Sequence, residues 1–223
     1  MTLTTHENLQ LLQAGVGFMT SSQNSQLVTN EYLRAREIIP DSWEVSNLQA
    51  SPQIFQSQIT YGNGIMFYQN GNLLRIVEFC NSGFQDDYIV YELANTFLEK
   101  ADGDFIGCGV DLDMWAYDDD PTSWIANRFS MQNESAFLQG ISNISLDFSF
   151  EMEDQFEGGS LQISLGSAKL NSPESGVKNI LDAKGLTQFS NEKPSKLSER
   201  MRQWRDLHEI ILQKVNLVLG GEQ

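Results

Sequence analysis

QIFQSQITYGNGIMFYQNGNLLRIVEF, residues 53–79, is the stretch whose reading decides the fold. Gln53–Tyr61 sets Phe55, Ile59 and Tyr61 on one face and Gln56 and Gln58 on the other, the period of a half-buried strand. Gly62-Asn63-Gly64 turns the chain, Ile65–Gln69 returns, and Asn70-Gly71 turns it again into Leu73–Phe79. Asn-Gly is a strong hairpin signal because both centre positions of a type I′ turn need positive φ. Two such turns at this spacing predict a three-stranded antiparallel meander.

Downstream the period changes. Ile89, Leu93 and Phe97, with Val90, Ala94 and Leu98, recur at steps of three and four from Asp86 to Ala101, which predicts an amphipathic helix. Asp86 and Asp87 favour its start, Lys100 its end, and Gly103 helps to stop it. Phe105–Tyr117 reads as a Gly-rich strand. Pro121–Gly140 (Trp124, Ile125, Phe129, Phe137, Leu138) reads as a short helix or a packed loop. From Ile144 the alternation is clean: Ile144, Leu146, Phe148, Phe150 and Met152 face one way, and Ser145, Asp147, Ser149, Glu151 and Glu153 the other. Gly158-Gly159 leads to a partner strand carrying Leu161, Ile163 and Leu165.

Residues 171–194, poor in aromatics and rich in Ser, Asn, Gly and Lys, read as a mobile connection with a brief helix near Val177–Ala183. A last helix opens at Pro194-Ser195, carries a stripe of Leu197, Met201, Trp204, His208, Ile211, Val215 and Val218, and ends at Gly220-Gly221. Leu207, Ile210, Leu212, Leu217 and Leu219 make its second half apolar on more than one face. It is therefore either sunk deep in the core or used in assembly. The expected class is α+β: an antiparallel sheet of a meander and a hairpin, covered on one face by two principal amphipathic helices. The order of elements echoes in the two halves without a residue-level repeat, a topological duplication at most. The expected organisation is an N-terminal segment 1–26, partly disordered with an edge strand, then a sheet region with the first helix, 27–170. A connection, 171–193, and a C-terminal helix, 194–219, packed on the same domain, complete it.

Several markers then fall into one order. Ile39-Pro40-Asp41-Ser42-Trp43 precedes the meander, Gln58–Ile65 forms its first turn, Gly107-Cys108-Gly109-Val110 follows the first helix, and Trp204 lies in the last. In this order, across residues 27–218, the chain resembles an uncharacterised family of small cytosolic proteins of cyanobacteria. The resemblance implies the order of elements; the family brings no assigned activity and no catalytic residues. The Asp run after Trp115 has no counterpart in its pattern.

Charge narrows the partners. Residues 1–168 hold 23 Asp/Glu against 5 Lys/Arg, and residues 169–223 hold 7 against 9. A body this acidic repels nucleic acid and anionic lipid, so it favours a cation, a basic protein surface or another subunit. Forty per cent hydrophobic residues over 223 positions support a folded core rather than an acidic coil. The N-terminus has no basic segment with an apolar core, and no run of about 18 apolar residues exists, so the expected location is cytoplasmic, without membrane contact. Cys80 and Cys108 form no CxxC pair and are expected as buried free thiols.

The chemistry-bearing candidates are few. Asp111, Asp113 and Asp118-Asp119-Asp120 are the best, because hard cations such as Mg²⁺ and Ca²⁺ take several converging carboxylate oxygens. The spacing is not that of an EF-hand, and a wet strand face running into an acidic turn before Pro121 accounts for it equally. Glu151, Glu153 and Asp154 extend the polar face. Were the two acidic strands adjacent, the sheet would present one broad negative face, for docking or for solubility and edge protection. His6 sits in the tail, and His208 on an apolar stripe is a packed, hydrogen-bonded residue. Ser21-Ser22 and Ser142/Ser145 lack the nucleophile elbow, and Gly15-Val16-Gly17 and Gly107-Cys108-Gly109 lack the rest of a phosphate cradle. These glycines fit close packing of strands. Trp43, Trp115, Trp124 and Trp204 are expected at the core or its rim.

Among the basic residues, Lys193, Lys196, Arg200, Arg202, Arg205 and Lys214 lie late. Arg200 and Arg202 diverge by about 200° on a helix and form no nucleic-acid stripe. That helix is expected to lie against the acidic sheet or to reach another copy's. Arg75, beside Glu78, is expected in a cross-strand pair.

No catalytic residue and no cofactor are assigned, and a small-molecule ligand stays unknown. The leading reading is a non-enzymatic protein-binding protein (adaptor, assembly factor or small subunit) that uses an acidic sheet face and an apolar C-terminal helix, with a protein partner or self-association. The alternatives are a Mg²⁺- or Ca²⁺-dependent enzyme or sensor at the aspartates, and an acidic inhibitor that mimics nucleic acid.

Overall fold

The structure, a computed structural model, describes residues 9–24, 26–51, 55–80, 84–85, 87–129, 144–153, 156–172 and 176–220. His6, Asp86, Phe137, Leu138, Ser142, Asp154 and Gly221, singled out above, lie outside these residues. The described strands are β1 (Gln10–Thr20), β2 (Val45–Ser51), β3 (Gln56–Tyr61), β4 (Ile65–Asn70), β5 (Leu73–Phe79), β6 (Phe105–Tyr117), β7 (Ser145–Glu151), β8 (Gly159–Ser172) and β9 (Gly176–Ser190). The helices are α1 (Asn30–Ala35), α2 (Ile89–Lys100), α3 (Pro121–Arg128), α4 (Pro194–Arg202) and α5 (Trp204–Leu219). All nine strands form one antiparallel sheet in the order β2-β3-β4-β5-β1-β6-β9-β8-β7, and the fold is mixed, as the α+β class requires.

Alternation along the strands fixes the core side. Ala14, Val16 and Phe18 of β1, Ile59 and Tyr61 of β3, Leu74 and Ile76 of β5, Val110, Leu112 and Met114 of β6 and Leu161, Ile163 and Leu165 of β8 share one buried cluster with residues of all five helices. Phe18 stacks on Phe97 of α2 with ring centres 5.9 Å apart, and both meet Phe105. Burying aromatics of this size contributes about 2–3 kcal/mol each, which anchors α2 to the sheet. Helices therefore cover one face, five of them among the described residues rather than two.

Four expectations are corrected. The N-terminal strand is no edge: β1 lies at the middle, between β5 and β6, and belongs to the main domain. Its outward positions 15 and 17 are glycines, which erased the alternation that marks a strand. The described part of residues 171–193 holds no separate connection and Val177–Ala183 no helix, because the end of β8 and β9 pair there as strands. On the inner face of β9 the small residues Ala183 and Gly185 stand between Leu181 and Thr187, and Ile211 of α5 sits over Gly185. A Cβ on residue 185 would come within 2.1 Å of its Cγ2. The C-terminal helix is two: the Gln203 amide is shared between the Glu199 and Arg200 carbonyls (3.3 and 3.2 Å), a tightening that ends α4 and re-aims α5. Finally, β6 and β7 are not neighbours, since β9 and β8 separate them.

α5 is sunk in the core. Leu207, His208, Ile211, Val215, Val218 and Leu219 are buried, and among its large apolar residues Leu217 is the exposed one. Both cysteines are buried and free. Burial pushes the Cys80 thiol up to about 11 and the Cys108 thiol up to about 12, so neither offers a thiolate near neutral pH.

Candidate functional site: the sheet face opposite the described helices

The face opposite the helices is organised by the β1–β6 pair. Gln13, Gly15, Gly17 and Met19 of β1 point there, opposite Asp113, Asp111, Gly109 and Gly107 of β6. Gly15 is a requirement: a Cβ at that position would stand 2.6 Å from Asp111 Oδ2. The slot it leaves lets the Asp111 carboxylate lie buried over β1. Arg75 reaches it from β5, passing Gly17, its register partner, and Nη2 donates to Oδ2. The pair Arg75–Asp111 therefore bridges β5 to β6 across an intervening strand that contributes only glycine. The cross-strand pair expected of Arg75 is this one, reaching past the adjacent strand to the next. Glu78 does other work, for its Oε2 accepts from the Val90 amide and caps the start of α2.

Desolvation of Asp111 outweighs the attraction of Arg75, so its carboxyl titrates above the usual range, with Asp113 pushing the same way. Asp113 accepts from Gln13 Nε2, and Lys184 Nζ on β9 lies 3.9 Å from Asp113 and 3.5 Å from Asp182. Burial raises the Asp182 carboxyl too, opposed by Lys184. Arg75, Asp111, Asp113, Lys184 and Asp182 thus form a row of mixed charge drawn from three strands, β5, β6 and β9, with uncharged β1 between the first two. Below the row, Trp115 and Tyr117 meet edge to face at 4.6 Å, and Lys178 stands 4.5 Å above the Tyr117 ring.

One irregularity keeps β6 in place. Between Cys108–Phe189 and Asp111–Leu186 the ladder to β9 is interrupted, and Thr187 Oγ1 fills in, accepting from Val110 N at 2.9 Å and donating to Val110 O at 3.2 Å. Only glycine fits at 109, where a Cβ would lie 1.9 Å from Thr187 O.

The five aspartates do not converge. Asp118 starts five residues past Asp113, roughly 17 Å along an extended chain. Asp118 Oδ1 accepts from Asp120 N, and Asp120 Oδ1 accepts from Ser123 N as the cap of α3, which holds its carboxyl below the usual range. The Asp119 carbonyl accepts from Asn179. Among the described residues no three His, Cys, Asp or Glu side chains group as metal ligands. The late basic residues avoid this face as well: Arg202 pairs with Glu99, Arg205 with Asp87, and Arg200 with Glu192. Outward residues of β6, β7 and β9 are Asp111, Asp113, Asp147, Glu151 and Asp182, met by Arg75, Lys178 and Lys184. The face is mixed in charge rather than uniformly acidic.

A second cluster lies on the helix side. Tyr88, Tyr91, Trp204 and His208 pack together, Trp204 stacking on Tyr91 at 4.3 Å, and the Tyr91 hydroxyl shares a hydrogen bond with His208 Nε2. Burial lowers the His208 pKa to about 3, so the ring stays neutral. This is the packed histidine that its place on the stripe implied, and it ties α2 to α5. No protein-family model matches the chain, and no curated protein does. No helix among the described residues is long and apolar enough to cross a membrane.

Proposed function

We propose that this chain is a non-enzymatic protein-binding protein, an adaptor, assembly factor or small subunit, whose partner docks on the sheet face opposite the described helices. The observation that carries this reading is the one-sided helix layer: a nine-stranded sheet with a fixed charge row at its centre and exposed Leu73, Phe79 and Tyr117 on the same outward parity. Pre-positioned charges with an apolar margin give a protein partner register and area together. The apolar side of α5 serves the core, so the reading narrows to the sheet. Mixed charge selects a partner that is itself mixed, in place of a purely basic one.

The same reading takes the two halves as a topological duplication. Outward from the β1–β6 contact, the sheet runs first strand, then last strand, then backwards through the rest, on both sides. The support is in the order alone.

The test is retention of a partner by the immobilised chain, compared with Leu73→Lys and Tyr117→Lys on the face and Leu217→Lys on the helix side. The expected result is a defined partner lost with both face variants and kept with the third. Retention indifferent to the face overturns the reading. A thermal midpoint raised several degrees by Mg²⁺ or Ca²⁺, and not in Asp111→Asn/Asp113→Asn, would instead restore the cation alternative.

A further inference from the structure

The two edges of the sheet are built differently. β7 has one half-buried face and carries Asp147 and Glu151, the charged edge that discourages strand addition. β2, Val45-Ser-Asn-Leu-Gln-Ala-Ser51, has no charge and no proline, and every residue of it is exposed on both faces. Among the described strands it pairs with β3 alone, which leaves one row of its backbone N–H and C=O groups open. Leu48, 58% exposed, stands beside buried Ile59 where the helix layer ends. β2 is also the strand by which one side of the sheet exceeds the other, four strands beyond β1 against three beyond β6.

We propose that β2 is a self-association edge: a second copy of this chain adds its own β2 antiparallel, with the two-fold axis at Leu48. Three observations select a second copy. Closed assemblies of one chain favour a patch that complements itself, and this strand does so: about Leu48, Leu48 faces its own copy, Asn47 faces Gln49, Ser46 faces Ala50 and Val45 faces Ser51. The chain carries −16, yet residues 45–51 are formally neutral, so two copies approach here with the least repulsion and a basic peptide finds nothing to grip. The nearest acid, Glu44, is four residues from the axis, which separates it from its mate by roughly 27 Å, well beyond the screening length of about 8 Å in physiological salt. β7 paired likewise about Phe148 would set Asp147 only about 7 Å from its mate. The bulge between Val45 and Asn47 falls at the end of the strand and leaves Asn47–Ser51 regular.

Sedimentation of the full chain across micromolar to near-millimolar concentration, at physiological salt, tests this. The mass should rise from 25.2 kDa towards twice that value. Leu48→Lys, which sets two ammonium groups opposite each other, should weaken association about tenfold or more with an unchanged thermal midpoint, because the residue is exposed. Under mild oxidation Leu48→Cys should cross-link into a dimer, since facing Cα atoms in an antiparallel pair stand about 4.5–5.5 Å apart, within disulfide reach. Ser51→Cys, whose mate is Val45, should form no cross-link, and the buried native cysteines do not compete. A monomer at every concentration overturns the proposal. So does association indifferent to Leu48→Lys, cross-linking equal in both cysteine variants, or a monomer that instead captures a different chain through Leu48.

Discussion

Beside β1 the sheet continues through β5, β4 and β3 to β2, and beside β6 it continues through β9 and β8 to β7. On the first side the space under the sheet is filled by large side chains. Tyr61, Phe67, Phe97 and Phe18 form a chain of ring contacts beneath one long helix. On the second side Ala183 and Gly185 interrupt the large side chains of β8 and β9, and Ile211 of α5 comes down onto Gly185. The first half is tightest where rings meet, the second where a helix meets glycine. The halves should therefore fail in opposite ways, the first by truncation and the second by enlargement.

Phe67→Ala should be the most damaging change, about 4 kcal/mol by urea denaturation, because Phe67 is fully buried among rings that cannot close the void. A loss under 1 kcal/mol would break the contrast. The Tyr91–His208 tie between the halves gives the next effect. With its folded pKa depressed to about 3, His208 contributes stability above its unfolded value near 6.5, lost as pH falls from there towards 3, about 5 kcal/mol in the limit. His208→Gln should flatten that part of the pH–stability curve. An unchanged slope would show that other groups set it.

The tie on the opposite face is Arg75–Asp111. Arg75→Met leaves a buried carboxylate unpaired and should cost about 3 kcal/mol at pH 7. The Asp111 carboxyl is already raised, so its contribution is full below its unfolded value near 3.8 and lost as pH rises through the folded one. Removing the guanidinium raises it further, and the penalty should shrink near pH 4; an equal penalty at both pH values would assign the loss to packing. Gly185→Ala should cost about 2 kcal/mol, as Ile211 must shift to admit a methyl group. Gly166→Ala, where the nearest atom to the added carbon is 3.5 Å away, is its control.

Signals carried within a few residues were legible. Gly64 and Gly71 do take positive φ (86° and 63°) at the turns their sequence marks, and α2 and β6 lie where the change of period put them. What escaped was whatever depends on the neighbour. β1 was read as an edge because a central strand whose outward residues are glycine shows no alternation, and with β1 misplaced the route from Arg75 to Asp111 had no visible path. β9 was missed because Ala183 and Gly185 look like linker composition until α5 is seen resting on them. Asp111 and Asp113 were found as residues but not as a site, since their partners Gln13, Arg75 and Lys184 come from three other strands. A lone Arg in a strand, with Gly-x-Gly in a segment that pairs beside it, is the signal that would have found the pair.

The central place of β1 also sets a timetable. It precedes the other described strands in the chain, and its partner on one side, β5, ends at Phe79, while β6 ends only at Tyr117. At about 5–20 residues per second, β1 waits roughly 2–8 s with one edge docked and the other bare. During that interval the growing chain is a half-sheet ending in a strand meant for its own interior. A product cut short after residue 104 would keep that edge permanently and should be the species that aggregates.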